Sequence, residues 1–542
     1  MTSWRRTEQL GALLSGNFDV VVIGAGMTGA GVALDAASRG LRVALIDRAD
    51  IASGTSSKSS KMVHGGLRYL QQKEFRLVYE NLRERQRLLK NAPYLVQPLP
   101  FLIPLFGSSG VASKAVAKGY ATALRLYDLG GGWRIGHRYQ RVSRDETLTH
   151  LPTLRTEKLV AGFLYYDARG DDARVALTLA RTAAQNFHAV VANYVSAVDV
   201  VKHDAGHVVG VEVRDEISGR NFTVTTSTVV NATGVWADEI FAMTEGHPSH
   251  RITPAKGVHV TVPRHRLPAD IAAVVNVPGD RRSIFVVPFE DAAFTYLGTT
   301  DTAYDGSLDS PACLPDDVAY LLRAINAATT SNLTSADVTG IWAGLRPLLA
   351  PSEGKTLRER TADLSRRHHV SATGDGVVHV TGGKWTTYRQ MAEDAVDALG
   401  PWISGLRRTR TKDLALFGVD AWRPTTELET HLYHRFGAQT LDILAAIRDD
   451  PSLAQRPIEG LPYVAAEFLY CAREEMVTSL VDLLSRRTRA HLMDARATLA
   501  AARRVATLVA PLMGWSDDEI ATQVEEYRRL VAFEFSEAGL VL

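Results

Sequence analysis

Cysteine is almost missing from this chain. Of 542 residues only Cys313 and Cys471 are cysteines, far apart and in no C-x-x-C pair. That excludes a thiolate zinc site or a dithiol redox centre and fits a reducing compartment. No apolar run approaches the roughly 20 residues that a membrane-spanning helix requires. The N-terminal MTSWRRTEQLGALLSG lacks the continuous apolar core of a signal peptide, so a cytoplasmic protein is expected. Peripheral attachment to the inner face of the membrane is compatible with this, because an amphipathic segment lies in the interface without spanning it. An excess of one charge is lacking too: 61 Lys+Arg against 60 Asp+Glu leave +1, so no global field draws nucleic acid. The remainder, 46% hydrophobic and 22% charged, is an ordinary globular composition with material for a large core and roughly two to four domains.

What is present begins at residues 19–47, DVVVIGAGMTGAGVALDAASRGLRVALID, read as strand, glycine turn, helix and strand. Gly24, Gly26 and Gly29 form G-x-G-x-x-G directly after an apolar strand. Gly24 permits the tight turn and Gly26 lets the backbone approach a pyrophosphate. Gly29 lets the helix, with its positive end at Met27 and Thr28, pack closely on the sheet. Asp47, roughly 20 residues on, ends the second strand where a carboxylate accepts hydrogen bonds from a ribose diol.

Residues 51–75, IASGTSSKSSKMVHGGLRYLQQKEF, are too rich in hydroxyls and glycine for a core element. They read as a second ligand loop, with donors from Ser53, Thr55, Ser56, Ser57, Ser59 and Ser60 and close backbone approach at Gly65 and Gly66. Residues 75–90 read as a surface helix of structural meaning only. Residues 93–152 are mixed and give no clear elements. A strand near 163–167, a helix over 172–187 and a three-stranded meander over 195–201, 208–214 and 221–226 follow, with turns at Gly206 and Gly219. TVVNATG, ending in Ala232, Thr233 and Gly234, then brings the chain back towards the nucleotide. A further return, strand 376–380 and the turn TGGKWTT before a helix over 388–399, repeats the helix-start geometry. Amides there suit the electron-rich pyrimidine edge of a reduced flavin. That the chain returns to one fold twice more favours flavin over nicotinamide. Strands near 258–262, 284–288 and 295–299 read as an inserted antiparallel cap, with a helix over 316–328 and GIWAGLRP returning to the flavin. Beyond about 400 strands vanish, and helical patterns fill 431–448, 463–485, 495–513 and 517–536. Ser516 with Glu519 forms a capping box and Gly514 ends the preceding helix. Arg486, Arg487 and Arg489 read as a solvated basic face.

The segments GAGMTGAG, TSSKSSKMVHGGLRYL, NATGVWAD, PAKGVHV, LGTTDT, GLRPL, TGGKWTTYRQMAEDAV and AREEMVTSLVDLLSRRTR, in this order, resemble the signatures of the FAD-dependent sn-glycerol-3-phosphate dehydrogenases along nearly the whole chain. The resemblance implies an α/β fold: a Rossmann-type FAD-binding domain, an inserted antiparallel β-sheet substrate cap and a C-terminal all-helical domain. The expected division is an oxidoreductase region over 17–400, with FAD-binding parts at 17–90, 155–250 and 340–400 and cap mainly at 91–154 and 251–339, then helices over 401–542. It further implies oxidation of glycerol 3-phosphate to dihydroxyacetone phosphate, electrons passed to membrane quinone, and a homodimer. By resemblance Arg68, Tyr69, Arg346, Arg366 and Lys384 contact substrate, and His259 falls where the family has an active-site histidine. The family's KGSH is here Lys256-Gly257-Val258-His259, which removes one local hydroxyl.

Physical reasoning points the same way. A phosphomonoester dianion needs guanidinium and ammonium groups from several segments, and Arg68, Arg346, Arg366 and Lys384 supply them. Hydride loss from an alcohol needs a base for the hydroxyl proton, and His64 and His259 are both candidates. The expected cofactor contacts are the 24–29 turn, Asp47, then Ser53, Thr55, Ser56, Ser60, His64, Gly65 and Gly66. Val195, the 232–234 turn, Gly344, Arg346, Gly383, Lys384 and Thr386 complete the set. Alternatives are a glycerol-3-phosphate oxidase using oxygen, an amino-acid-oxidase-like flavoenzyme, a tRNA-modifying flavoprotein and a nucleotide-binding regulator. The long insertion that marks some such oxidases is not seen.

Overall fold

A computed structural model describes residues 4–67, 69, 74–107, 114–247, 249–277, 279–280, 282–350 and 368–542. Two all-apolar strands, Val20–Ile23 and Val43–Ile46, are buried at every position, as strands covered on both faces must be. They lie at the centre of a six-stranded sheet in the order His368–Ala372, Val377–Gly382, Val229–Asn231, Val20–Ile23, Val43–Ile46, Val190–Ala192. All its pairings are parallel except the first. Helices Met27–Ser38, Asp172–Phe187 and Tyr388–Asp397 share the core with this sheet. Small residues set the approach: a Cβ on Gly31 would come within 2.6 Å of the Tyr388 ring. The meander appears as expected, with strands Val195–Lys202, Val208–Asp215 and Asn221–Thr226, joined by Asn17–Phe18, and with Gly206 and Gly219 at positive φ.

The second layer is a ten-stranded mixed sheet. Ile252–Pro263 pairs with Phe294–Gly298 and, across ten registered positions, with Gly340–Leu349. Ser283–Pro288 and Ala272–Asn276 continue the sheet to Val96–Phe106 and Leu159–Gly170. Strands Leu159–Gly170 and Gly340–Leu349 therefore hydrogen-bond into this sheet and not into the nucleotide-type one. Segment 93–152, opaque in the sequence, supplies strand Val96–Phe106, helix Lys114–Leu129, strand Gln140–Ser143 and helix Arg144–His150. Pro98, Pro100 and Pro104 alternate along their strand, so their missing N–H groups face one side. On one flank Val96–Phe106 meets its neighbour Ala272–Asn276 only at Phe101 and Leu102.

Helix Phe75–Asn91 does more than cover surface, because Glu84 and Arg85 are both 1% exposed. Arg85 donates to the Tyr166 carbonyl at 2.9 Å and pairs with Asp167, and Glu84 is paired with Arg389. The chain after 400 is helical among its described elements, with principal helices Glu427–Phe436, Thr440–Asp449, Ala465–Glu474, Ala495–Met513 and Asp517–Glu537. The Ser516–Glu519 capping box forms, and Gly514 closes the preceding helix at φ +69°. These helices share one apolar core with the large sheet. Thr261 Oγ1 donates to the Leu492 carbonyl at 2.6 Å, so the two layers are stitched as well as packed.

Candidate active site

One cavity of about 770 Å³ runs from the first glycine turn, past the 47–60 loop, to the face of the large sheet. At its nucleotide end Gly24 takes φ +101°, a value open to glycine, and a Cβ there would lie 2.8 Å from the Ala232 carbonyl oxygen. Helix Met27–Ser38 starts at Gly26 without a side-chain cap on its N-cap residue, which leaves the helix start facing the cavity through Gly26, Met27 and Thr28. The Met27 N–H donates to Ser56 Oγ at 2.8 Å. Asp47 accepts from the Ala25 N–H at 2.7 Å and the Ala49 N–H at 2.9 Å, and burial pushes its carboxyl up to about 6. The Val195 N–H holds the Asp47 carbonyl at 2.7 Å.

The hydroxyl loop is more self-engaged than its composition suggests. Thr55 Oγ1 donates to the Leu345 carbonyl at 2.7 Å and Ser59 Oγ to Asp172 at 2.6 Å. Ser60 Oγ lies 2.7 Å from His259 Nε2. Ser53, Thr55, Ser56 and Ser60 border the cavity, as do His64, Gly66, Ala232, Thr233, Gly234, Gly344, Gly383 and Thr386. Gly29, Gly65 and Val195 do not border it. A Cβ on Gly29 would sit 1.8 Å from the Gly24 carbonyl oxygen, and one on Gly65 2.5 Å from Leu82, so both glycines answer to packing. The Gly65 N–H donates to Tyr127 Oη at 2.9 Å and to Asp167 at 3.1 Å, which fixes the His64–Gly66 turn from behind.

At the far end His259, 3% exposed, stacks on Trp342 with ring centroids 4.7 Å apart and planes 7° from parallel. Gly298 makes room for it, since a Cβ there would fall 2.0 Å from the imidazole. Burial, and then the charges of Lys61 and Arg346, hold the imidazole well below its ordinary pKa and therefore neutral. Val258, where the family has a serine, is fully buried in the sheet's apolar core. Arg346 is anchored by Asp301 at 3.1 Å, the Thr300 carbonyl at 3.2 Å and Thr299 Oγ1 at 3.3 Å. Lys384 Nζ lies 3.7 Å from the centre of the Tyr69 ring, a cation–π distance. The cavity thus gathers His64 and Tyr69 from one loop with His259, Arg346 and Lys384 from three further segments. Arg68 and Arg366 lie outside the described residues.

Sequence reasoning missed Arg282, which borders the same cavity and donates to the Asp301 carbonyl at 3.3 Å, beside the Arg346 anchor. It also missed Trp342, embedded in the GIWAGLRP motif, and Lys61, buried against Asp172 at 3.2 Å and held down at about 8 by desolvation. The reading of Arg486, Arg487 and Arg489 as a solvated face is overturned. Arg487 and Arg489 are 1% and 3% exposed, and all three are paired with Asp50, Asp171, Asp172 or Asp482. Among the described residues no cluster of His, Cys, Asp and Glu could hold a metal ion, and no helix is long and apolar enough to cross a membrane.

A helix start that opens on the cavity, a carboxylate at the second strand end and two later glycine turns around one elongated cavity define a flavin-type dinucleotide-binding oxidoreductase. Comparison with known proteins agrees: residues 19–389 match the model of the FAD-dependent oxidoreductases, and residues 378–520 that of the C-terminal domain of alpha-glycerophosphate oxidase. Glycerol-3-phosphate dehydrogenase 2 of Mycobacterium bovis is 40% identical, over 98% of this chain and 90% of its own. The human mitochondrial glycerol-3-phosphate dehydrogenase is 32% identical over 98% of this chain and 75% of its own. The solved glycerol-3-phosphate dehydrogenase of Bacillus halodurans, complexed with FAD, superposes with TM-score 0.78 at 27% identity, each chain fully covered. The chain belongs to the FAD-dependent glycerol-3-phosphate dehydrogenase family.

Proposed function

We propose that this protein oxidises sn-glycerol 3-phosphate to dihydroxyacetone phosphate and passes the electrons to a quinone at the membrane, to which it attaches peripherally. The carrying observation is that Arg346, Lys384 and His259 meet in the cavity that also holds both glycine turns. Bound FAD supplies the acceptor for the hydride leaving C2. Gly26, Met27 and Thr28 would hold its pyrophosphate and Asp47 a ribose; the turn at Gly383, Lys384 and Thr386 would hold the ring edge.

The chain's own residues do the rest. Arg346 and Lys384, with Arg282 beside them, offer forked and point-like cations to the phosphate dianion. His259 takes the C2 hydroxyl proton. His259 is preferred to His64 because its ring is locked between Trp342 and Ser60 and arrives neutral, ready to accept. A bound dianion opposes the burial and cationic effects on its pKa, so basicity rises when substrate is present. We assign the six-stranded sheet and its helices to cofactor binding, the ten-stranded sheet to the substrate cap, and residues 401–542 to a helical domain.

The test is the absorbance spectrum of purified protein, followed by anaerobic addition of glycerol 3-phosphate. A flavin band that bleaches and recovers with a quinone analogue supports the reading. No bleaching removes the substrate assignment. Recovery only in air, with stoichiometric hydrogen peroxide, moves the acceptor to oxygen.

A further inference from the structure

The buried Arg489 has no part in the chemistry just described, yet it faces the hydroxyl loop from the helical side. It precedes helix Ala490–Met493, and its backbone N–H donates to Tyr463 Oη at 2.9 Å. Its guanidinium reaches Asp171 at 2.6 Å, pairs with Asp172 and donates to the Ser57 carbonyl at 3.4 Å. Asp171 caps helix Asp172–Phe187, so the two acids and the arginine meet where a helix dipole already favours negative charge. Asp172 is fully buried. It uses one oxygen for Arg489, the Lys61 ammonium at 3.2 Å and the Ala173 N–H at 3.1 Å. Its other oxygen takes both the backbone N–H of Ser59, at 3.0 Å, and the Ser59 hydroxyl, at 2.6 Å.

Ser59 links this cluster to His259. Its carbonyl accepts from Trp342 Nε1 at 3.2 Å, and the next residue presents Ser60 Oγ to His259 Nε2 at 2.7 Å. The two partners that fix the His259 ring, the Trp342 face and the Ser60 hydroxyl, are thus both referenced to a residue clamped by Asp172. Arg489 holds Asp172 in turn. Lys61, whose ammonium lies 5.1 Å from the Trp342 ring centre, shares the same carboxylate.

We infer that Arg489 is a positioning residue for His259, acting from the helical region through Asp172 and Ser59. This rests on the proposed role of His259 as base. Losing the guanidinium leaves Asp172 held by Lys61 and the Ala173 N–H alone, which loosens its clamp on Ser59. The His259 ring then loses its alignment with substrate, while the residues proposed to bind phosphate are untouched.

Arg489→Gln, Arg489→Lys and Ser59→Ala are compared with wild type for flavin stoichiometry, kcat and KM, together with hydrogen–deuterium exchange over residues 55–63. In Arg489→Gln kcat should fall by about 10-fold or more, since a displacement near 1 Å of a catalytic group costs up to about 100-fold, while KM shifts less than about threefold. Flavin content should hold and exchange over 55–63 should rise. Arg489→Lys should recover part of kcat, because an ammonium keeps the charge and loses the fork. Ser59→Ala, which removes one hydroxyl, should show the same kcat signature and decides the matter if Arg489→Gln does not fold. Wild-type kcat in the variants, or a kcat loss matching a flavin loss with exchange unchanged, overturns the inference. A wild type that fails to turn over glycerol 3-phosphate sinks the functional reading instead, and exchange over 55–63 still tests the positioning.

Discussion

Substrate choice should be set by phosphate, and Arg346 is the residue on which that can be worked out. Its guanidinium is pinned by Asp301 at 3.1 Å and by two acceptors from residues 299 and 300. It is therefore pre-aimed before any anion arrives, and the Asp301 carboxylate beside it is only 10% exposed. At an effective dielectric of about 20, two unit charges about 4 Å apart attract by about 4 kcal/mol. Truncating one partner of a desolvated, hydrogen-bonded charge pair costs roughly 2 to 5 kcal/mol, so Arg346→Ala should lower kcat/KM for glycerol 3-phosphate by about 30-fold to a few thousand-fold. Part of that loss is the exposed Asp301 carboxylate, which then repels the dianion. Glycerol itself carries no phosphate, so it should be a poor substrate whose turnover barely changes in the variant. Arg346→Lys should recover a fraction only, lacking the two-pronged geometry. Adding Asp301→Asn to Arg346→Ala removes that repulsion, so the double variant should recover part of the loss. The assay is steady-state kinetics on both alcohols at matched flavin content. Equal proportional losses on glycerol and glycerol 3-phosphate would show that Arg346 supports the fold or the flavin instead of reading phosphate.

Gly29→Ala should abolish flavin binding and lower soluble yield, because its Cβ would fall 1.8 Å from the Gly24 carbonyl oxygen; flavin content of any folded fraction checks it. Substrate-reduced enzyme should pass electrons to a quinone analogue and not to NAD, which an acceptor screen under argon reads directly. His431, 6% exposed between Asp291 and Glu467, is lifted to about 9, with burial opposed by Glu467 and then Asp291. A histidine raised in the folded state stabilises fully below about 6.5 and loses that contribution as pH rises through about 9, on the order of 3 kcal/mol here. Wild-type Tm should therefore drop between pH 7 and 9.5 by more than that of His431→Gln, and parallel curves would refute it.

The first turn was legible because everything it needs is local. Apolar strand, glycine spacing and terminal acid lie within 29 residues, and the structure reproduces them with Gly24 at positive φ. Helix Asp172–Phe187 and the Ser516 capping box were legible for the same reason: their signals sit within a few residues of the ends they define. Strand Val96–Phe106 was not, since alternating prolines argue against a strand unless the neighbour on their side is known to be short. Arg486, Arg487 and Arg489 looked solvated because their partners Asp50, Asp171 and Asp172 lie more than 300 residues away. In the site, the glycine turns, Tyr69, His259, Arg346 and Lys384 converge as the motifs suggest, whereas Arg282 sits in a turn with no motif of its own. Gly65 and Val195 do not border the cavity. Each stands beside residues that border the cavity and serves them from behind, a distinction that spacing alone does not carry.

Asp47 gives a last test that needs no turnover. Its carboxylate accepts two backbone N–H groups, yet burial outweighs them and lifts it to about 6, with Asp50 adding repulsion and Arg48 a smaller relief. An acid raised in the folded state binds its proton before the unfolded chain does, so it makes the stripped apoprotein less stable as pH rises from about 4 to about 6. Cofactor affinity should move the other way. If Asp47 holds a ribose diol, both hydroxyls are accepted fully only by the ionised form, and binding releases the proton that the free carboxyl keeps below pH 6. By linkage, FAD affinity should then rise as pH climbs through about 6, by on the order of tenfold for each unit that binding lowers the pKa. Titrating deflavinated protein with FAD by fluorescence quenching between pH 5 and 7.5 reads this slope. Asp47→Asn should bind more weakly at pH 7.5 and show a flattened slope, because its amide neither titrates nor offers two acceptor oxygens. An unchanged slope in Asp47→Asn would mean that another group carries the proton and that Asp47 orders its own loop, through Ala25 and Ala49, without touching the ribose.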